Sequence, residues 1–144
     1  MTVRWPSNLA HLEPPAHLHF VGLGGIGMSG LARMLAQLGY RVSGCDAVDA
    51  PLLHALRAEG IAVSVGHDPV HVEGADLVVI TSAVRADHPE VAAAVARRLP
   101  VAKRAALLGW LTAGATCVAV AGTHGKSTTA GMIALILEQS GQSP

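Results

Sequence analysis

The sequence predicts an α/β fold with a doubly wound, mostly parallel sheet. Short valine-rich runs alternate with segments of helical spacing along most of the chain, and this alternation is typical of repeated βα units with right-handed crossovers. The clearest predicted strand, residues 76–80, contains the unbroken apolar run 77–80, as expected of a central strand buried on both faces. Hydrophobic residues make up 51% of the chain and aromatic residues only 3%. That balance favours helices packed on a sheet over a sandwich with large aromatic anchors.

The first predicted strand, His17–Val21, leads into a glycine-rich turn and then into a helix over residues 26–38. Gly22, Gly24 and Gly27 fit the pattern G-x-G-x-x-G in the strand–turn–helix context that it requires. The first glycine permits a tight turn, and the helix start presents N–H groups and partial positive charge to an anion. The pattern predicts a nucleotide diphosphate site in a Rossmann-like domain. A close-packed turn without a ligand is the alternative.

Two further predicted strands bring polar residues to the same edge of the sheet. The strand at residues 40–44 is followed by Asp46, where an acidic residue would meet a ribose hydroxyl or else cap a turn. The strand at residues 76–80 is followed by Thr81 and Ser82, whose hydroxyls would contact a ligand or form turn bonds. The remaining predicted elements are a helix at 51–59, a strand at 61–65, a helix from 88 to about 98, a strand at 100–102 and a helix at 103–113.

A second glycine loop follows a predicted buried strand at residues 116–121. Its glycines would let successive N–H groups cradle phosphate oxygens, Lys126 would reach the β- and γ-phosphates of ATP, and Ser127 would hold Mg²⁺. The loop departs from the general P-loop pattern at Val120, where a glycine is usual. The predicted ATP site comprises Gly122, Thr123, His124, Gly125, Lys126, Ser127 and Thr128, and the role of His124 is open.

These elements divide the chain into an irregular N-terminal arm (1–15), a Rossmann-like substrate-binding domain (16–114) and the start of a central ATP-binding domain (115–144). We expect the last segment to be the first strand, P-loop and helix of a truncated ATPase domain, because such a domain needs further strands and an acidic metal ligand. A lone apolar strand favours pairing of some kind. Three arrangements are open: it folds onto the edge of the Rossmann sheet, pairs with another copy of the chain so that the chain self-associates, or hangs loose.

Two pairs of histidines could each contribute ligands to a metal site, but a structural role is predicted for each pair. His17 and His19 are interpreted as polar positions that alternate with apolar ones on the first strand. His67 and His71 are four residues apart, a spacing that can share a metal on a helix. Pro69 lies between them and no third ligand is evident from the sequence, so a solvated loop is predicted.

Composition excludes several function classes. Ten basic and ten acidic residues cancel, so no basic face for nucleic acid is indicated. The N-terminal residues lack the apolar core of a signal peptide, and no apolar run reaches the roughly 18 residues of a membrane span. The cytoplasm is therefore the expected location. Cys45 and Cys117 are predicted to be buried structural thiols, without a disulfide framework.

The motifs together resemble those of the Mur ligases. The resemblance covers nearly the whole chain from about His17, and the pair of loops in this order is far more specific than either loop alone. The matching stretches are residues 22–30 (GLGGIGMSG), 43–46 (SGCD), 81–84 (TSAV), 89–91 (PEV) and 121–128 (AGTHGKST).

The resemblance implies the N-terminal part of an ATP-dependent ligase of peptidoglycan synthesis, which binds UDP-N-acetylmuramate in its first domain and ATP with Mg²⁺ in its central domain. ATP would phosphorylate the muramoyl carboxylate, and the amine of L-alanine would attack the acyl phosphate. The implied contacts to the UDP-sugar are Gly24, Gly25, Ile26, Gly27, Met28, Ser29, Asp46, Thr81, Ser82 and Ala83, and the implied catalytic residues are Lys126 and Ser127. Where relatives often read Arg-Ala-Glu, this chain has Arg104-Ala105-Ala106 and lacks the carboxylate.

Other function classes fit part of the sequence. The NAD-binding Rossmann domain of an oxidoreductase or regulatory protein would explain the first loop and Asp46, but it gives no reason for the second loop. A module that binds a UDP-sugar without turnover describes the expected activity of this chain by itself. A small P-loop kinase would need the further strands and the acidic metal ligand.

Overall fold

The structure, a computed structural model, describes residues 12–142. The chain forms two compact units, Met1–Ala113 and Gly114–Pro144. All the strands of the described residues lie in the first unit. The elements are β1 His17–Val21, α1 Ile26–Gln37, β2 Arg41–Asp46, α2 Pro51–Ala58, β3 Ala62–Val65, a 3₁₀ helix Pro69–Val72, β4 Leu77–Ile80, α3 Pro89–Ala96, β5 Val101–Lys103, α4 Arg104–Thr112 and α5 Lys126–Gln139.

The first unit is built on a five-stranded sheet in the order β3-β2-β1-β4-β5. Every pairing in it is parallel. The strand order reverses between β1 and β4, since the chain first builds outward from β1 on one side and then on the other. In an open α/β sheet, this reversal opens a crevice at the carboxyl ends of the strands, where ligands bind. The predicted doubly wound parallel fold is confirmed.

Helices cover both faces of the sheet, and alternate residues of β1 point to opposite faces. Leu18 and Phe20 are fully buried in a core that includes leucines of α1, α2 and α4. Val21 is buried on the other face with Cys45 and with valines and alanines of α3 and the 3₁₀ helix. Full burial of one Leu or Phe side chain stabilises the fold by about 1.5–3 kcal/mol. The cores on the two faces of the sheet therefore hold the strands in this order.

Most predicted bounds agree with the structure to within two residues, and the exceptions have local causes. Strand β2 runs on to Asp46 because β3 pairs with it up to Val65. The segment expected to be a solvated loop around residue 70 is instead a 3₁₀ helix that begins with Pro69. Asp68 caps this helix by accepting the Val70 N–H at 2.9 Å. A proline at the first helical position does not prevent such a turn. Proline lacks a backbone N–H, but an N–H at this position would have no partner within the helix.

The second unit corrects the prediction of a strand at residues 116–121, which are not in a strand. A strand needs a neighbour for its backbone hydrogen bonds, and the described residues of this unit form only one regular element, α5. Val118 is exposed, and so is Cys117, which was expected to be buried; Cys45 is buried as predicted. The apolar strand edge that was expected to favour self-association is therefore not formed in the described part of this unit.

The predicted N-terminal arm lies mostly outside the described residues, which begin at Leu12. Leu12 is buried in the core and its carbonyl accepts a hydrogen bond from the Tyr40 hydroxyl at 2.8 Å. Residues 12–15 are thus irregular, with Leu12 packed in the core and residues 13–15 exposed. In the part of the chain that the structure describes, no helix is both long and apolar enough to cross a bilayer.

Candidate functional site

The first glycine loop is held against the sheet by backbone hydrogen bonds. The N–H groups of Gly22 and Leu23 both donate to the Cys45 carbonyl at 2.9 Å. Gly22 has a φ of +82°, so the tight turn after β1 requires a glycine there. Leu23 is fully buried and packs onto β2 at Gly44, where a Cβ would lie 2.8 Å from the Leu23 Cδ2 atom. The loop is therefore an extension of the core.

Asp46 lies beside this loop, as predicted, and its carboxylate is bonded to it. The Oδ2 atom accepts the Gly24 N–H at 2.8 Å, and Oδ1 accepts the Val48 N–H at 3.3 Å. A Cβ at Gly24 would lie 2.8 Å from Oδ2, so only glycine allows this approach. Asp46 thus accepts the Gly24 N–H, which the sequence pattern assigns to a diphosphate. An anion at this loop would have to bond to the N–H groups that follow Gly24 along the chain.

Those donors lie in the first turn of α1, which no side chain caps. Gly25 is the N-cap residue, and the side chain of Ile26 is 88% exposed. The N–H groups of Met28 and Ser29 both donate to the Gly25 carbonyl at 2.9 Å, and their side chains are buried. Of the predicted contact residues in this turn, Ile26 and Gly27 therefore hold the N–H groups that have no helical partner.

Arg104 lies next to this turn, and sequence reasoning assigned it no role. A Cβ at Gly27 would lie 2.9 Å from the Arg104 Nη1 atom, so the absence of a side chain at Gly27 makes room for the guanidinium. No hydrogen bond or ion pair joins Arg104 to another group within residues 12–142. The partial positive charge at the start of a helix repels a cation beside it. An anion bound between the guanidinium and the helix start would be attracted to both. The sequence signal that could have pointed to this role is an arginine close to the end of a predicted strand.

The turn after β4 lies at the other side of the crevice. The position of a Cβ on Gly22 would be 3.9 Å from the Thr81 Cγ2 atom, so the two turns are neighbours. The Thr81 hydroxyl accepts the Ala83 N–H at 3.3 Å, which is the turn bond that was the alternative to ligand contact. Ser82 and Ala83 are exposed beside it.

The second glycine loop is formed by local contacts within its own unit. Gly125 has a φ of +75° and ends the loop, and α5 begins at Lys126. The Lys126 Nζ atom donates to the carbonyls of Gly122 at 2.7 Å and Thr123 at 3.2 Å. Residues 121–131 are all exposed. Ser127 lies in the first turn of α5, and the sequence of this unit contains one acidic residue, Glu138.

A second polar group is buried on the other face of the sheet, beneath β1 and β2. His17 and His19 belong to it: they alternate with Leu18 and Phe20 along the first strand, as predicted, and both side chains are buried. His17 contacts the Gly74 carbonyl at 2.9 Å and the Ser43 hydroxyl at 2.7 Å. Burial lowers the pKa of His19 to about 4, although the charge of Glu90 acts in the opposite direction.

Glu90 is the centre of this group. It is fully buried in the first turn of α3, and its carboxylate is within hydrogen-bond distance of Cys45 and His71. Burial acts to raise the pKa of Glu90, but the bonds from Cys45 and His71 outweigh it and hold the pKa below its usual value. Burial, together with the Glu90 carboxylate, raises the pKa of the Cys45 thiol. His67 and His71, expected in a solvated loop, point into this group instead.

Comparison with known proteins identifies the family. A profile described as the Mur ligase family, catalytic domain, matches residues 17–116. The chain belongs to the Mur ligase family. Among curated Mur ligases, the UDP-N-acetylmuramate–L-alanine ligases of Bradyrhizobium sp. (strain ORS 278) and Azorhizobium caulinodans are 52% and 50% identical to it over 127 and 132 residues. These matches cover 88% and 92% of the chain but 27% and 28% of the relatives, so the chain spans about a quarter of their length.

Solved Mur ligase structures share the fold. The UDP-N-acetylmuramate–alanine ligase of Thermotoga maritima is 37% identical with a TM-score of 0.79, over 85% of this chain and 29% of that one. A UDP-N-acetylmuramate:L-alanyl-gamma-D-glutamyl-meso-diaminopimelate ligase from Neisseria meningitides is also 37% identical, with a TM-score of 0.81 over 88% of this chain and 40% of that one. These relatives give no support to the alternative of an NAD-dependent oxidoreductase.

Proposed function

We propose that the chain is part of an ATP-dependent ligase that adds L-alanine to UDP-N-acetylmuramate, and that its first unit binds the UDP-sugar without catalysing ligation. The observation that carries this proposal is the meeting of a glycine loop, a helix start and a cation at the carboxyl end of β1. The curated relatives named above are ligases of this kind.

The geometry favours a diphosphate at the start of α1. The N–H groups of Ile26 and Gly27 would bond its oxygens, and the partial positive charge of the helix would favour its negative charge. Arg104, beside Gly27, would add a bidentate charged contact. Asp46 would repel a diphosphate but would accept a hydrogen bond from a sugar hydroxyl, so we place the uridine end of the nucleotide on its side of the loop.

The second loop is suited to the phosphates of ATP. Its positive-φ glycines leave the backbone open to an anion, and Lys126 already lies at the mouth of the loop. Within this unit, Ser127 supplies a hydroxyl oxygen for Mg²⁺, which is the type of ligand that this ion prefers. When bound, Mg²⁺ would offset the charge of the transferring phosphoryl group. The other residues of the predicted loop, Thr123, His124 and Thr128, would contribute backbone or side-chain contacts.

Calorimetric titration of the chain with UDP-N-acetylmuramate, NADH and ATP with Mg²⁺ tests this proposal. We expect heat from the UDP-sugar and none from NADH. Replacing Arg104 with Ala should weaken binding of the UDP-sugar by about tenfold or more, since a charged hydrogen bond is worth about 1.5–3 kcal/mol. Arg41, exposed at the opposite end of β2, provides the matched control, because Arg41→Ala should leave the affinity unchanged.

The contrary results are equally definite. Binding of NADH in place of the UDP-sugar would show that the first loop serves a nicotinamide cofactor. Equal affinities for Arg104→Ala and Arg41→Ala would remove Arg104 from the diphosphate site. Formation of the L-alanine amide by this chain with ATP would contradict the proposal that it binds without catalysis.

A further inference from the structure

The buried carboxylate of Glu90 is surrounded by nitrogen and sulfur atoms. Its Oε1 atom lies 2.7 Å from His71 Nδ1. Its Oε2 atom lies 2.9 Å from Cys45 Sγ, 3.5 Å from His67 Nδ1 and 3.9 Å from His88 Nδ1. Cys45 Sγ and His67 Nδ1 are themselves 3.3 Å apart. Two sets of potential metal ligands therefore share this carboxylate, His19 with Cys45 and His67 with His88, and Cys45 and His67 bring the two sets into contact.

Two nitrogen atoms of this group are buried and have no hydrogen-bond partner among the residues that the structure describes. They are His88 Nδ1 and His19 Nε2, the latter on a side chain only 2% exposed. Each faces a Glu90 oxygen at 3.9–4.0 Å, which is too long for a hydrogen bond. A buried polar atom without a partner is rare in a native fold, and a bound ion is one way to satisfy it.

We propose that Cys45, His67, His88 and Glu90 form a binding site for a divalent transition-metal ion of the Zn²⁺ type. In a tetrahedral site with bonds of about 2.0–2.3 Å, neighbouring ligand atoms lie about 3.3–3.6 Å apart. The distances around Glu90 Oε2, from 2.9 to 3.9 Å, and the 3.3 Å between Cys45 Sγ and His67 Nδ1 span that range. A thiolate with two imidazoles selects Zn²⁺, Co²⁺ or a similar ion over Mg²⁺ and Ca²⁺.

The surroundings support the proposed ligands. His71 Nδ1 and the Asp68 N–H, at 2.7 and 3.4 Å, hold the Glu90 oxygen that faces away from the site, and such outer contacts orient the ligands of metal sites. The rings of His67 and His88 are 4.4 Å apart, and their side chains are 26% and 17% exposed, which leaves a path for an ion. Binding would release the Cys45 thiol proton to solvent as the thiolate bonds the metal.

Titration of the metal-free chain with Co²⁺, followed by absorption spectroscopy, tests the site. We expect one equivalent to bind, with the visible bands of tetrahedral cobalt and a near-ultraviolet charge-transfer band from a thiolate. Cys45→Ser should abolish the charge-transfer band. Cys117→Ser is the matched control, because that thiol is exposed in the other unit and its loss should leave the band unchanged.

A histidine pair tests the remaining ligands. His88→Gln should weaken Co²⁺ binding by at least about tenfold, the scale of losing a supporting contact at a metal site. His54→Ala, which removes an exposed histidine next to Asp49, should change nothing. Because a variant in the core can fail to fold, the unchanged chain provides a second measurement: Zn²⁺ should raise its Tm, and a chelator should reverse the rise.

Several outcomes would overturn the proposal. Absence of the tetrahedral bands in the unchanged chain, or a Tm that Zn²⁺ does not raise, would show that the polar cluster does not bind such an ion. A charge-transfer band that disappears with Cys117→Ser and survives Cys45→Ser would place the metal elsewhere. None of these readouts depends on UDP-sugar binding, so the site stands or falls separately from the proposed ligase function.

Discussion

The two glycine loops have similar sequence patterns and are held in different ways. In the first, the N–H groups of Gly22 and Leu23 bond to β2, and Gly24 bonds to Asp46. In the second, Lys126 bonds to the carbonyls of its own loop, and no residue of α5 is buried. Each loop precedes a helix, but only the first is joined to a sheet.

This difference shows what a short pattern can encode. A loop with positive-φ glycines and a following helix forms from local preferences, as the second loop does. Placing such a loop beside other functional groups requires neighbouring strands, and only the first unit provides them. If the first loop depends on its tertiary contacts, substitutions at those contacts should destabilise the first unit. Trp110 packs against the core of the first unit and residues 114–144 contain no tryptophan, so tryptophan fluorescence reports unfolding of the first unit.

The largest expected effect is that of Leu23→Ala. Leu23 is fully buried beneath the first loop, and removing a buried leucine side chain costs about 2–5 kcal/mol. Leu135→Ala makes the same change on α5, where the side chain is half exposed, and should cost far less. Urea denaturation followed by far-ultraviolet circular dichroism, which reports the helices of both units, measures both variants. Equal losses of stability would mean that the first loop is no better anchored than the second.

Gly44→Ala should have the next largest effect. A Cβ at this position would lie 2.7 Å from the Phe20 carbonyl oxygen, so β1 and the loop after it must shift. Overpacking of this kind typically costs about 1–3 kcal/mol. Gly30→Ala is the control, since nothing lies within 4 Å of a Cβ there and alanine is the better helix residue. We expect opposite signs of the change in Tm, and a stable Gly44→Ala variant would contradict the packing described for Leu23.

Asp46→Ala and Lys126→Ala compare the polar contacts of the two loops. Asp46 accepts two backbone N–H groups, and its loss should cost the first unit about 1–2 kcal/mol and weaken binding of the UDP-sugar. Lys126 contacts only exposed carbonyls of its own unit, so its loss should leave the fluorescence transition unchanged. A destabilising Lys126→Ala would show that the second loop supports the first unit.

Sequence reasoning predicted the sheet and both loops because they depend on local patterns. The unbroken apolar run before Thr81 and the glycines after Val21 each identify an element without knowledge of its neighbours. The strand at residues 116–121 was predicted on the same grounds and is absent, because a strand also needs a partner. Apolar sequence shows that a segment can be buried, and the fold decides whether it is.

The polar group around Glu90 could not be predicted, since its members come from distant parts of the chain. Cys45 and Glu90 are 45 residues apart and become neighbours only when α3 packs on the face of the sheet that holds β2. His67 and His71 looked like an isolated pair because Glu90, which both contact, lies on α3. Arg104 was missed for the same reason, as only the packing of α4 places its guanidinium beside Gly27.

The smallest expected effect concerns the surface of α1, where Arg33 makes two hydrogen bonds to Glu59 at 2.7 and 2.8 Å. The bond from Arg33 lowers the pKa of the Glu59 carboxyl below its ordinary value of 4.5. A lowered pKa means that the contribution to stability is present above the ordinary pKa and disappears as pH falls through the pKa of the folded state. Glu59→Gln should therefore lower Tm slightly near neutral pH, and the difference should vanish once the pH is below the pKa of Glu59 in the folded state. Added salt should reduce it too, because both side chains are partly exposed. A difference that grows on acidification would contradict the pairing, whereas a small one that disappears would show that α1 and its loop are held by their buried contacts.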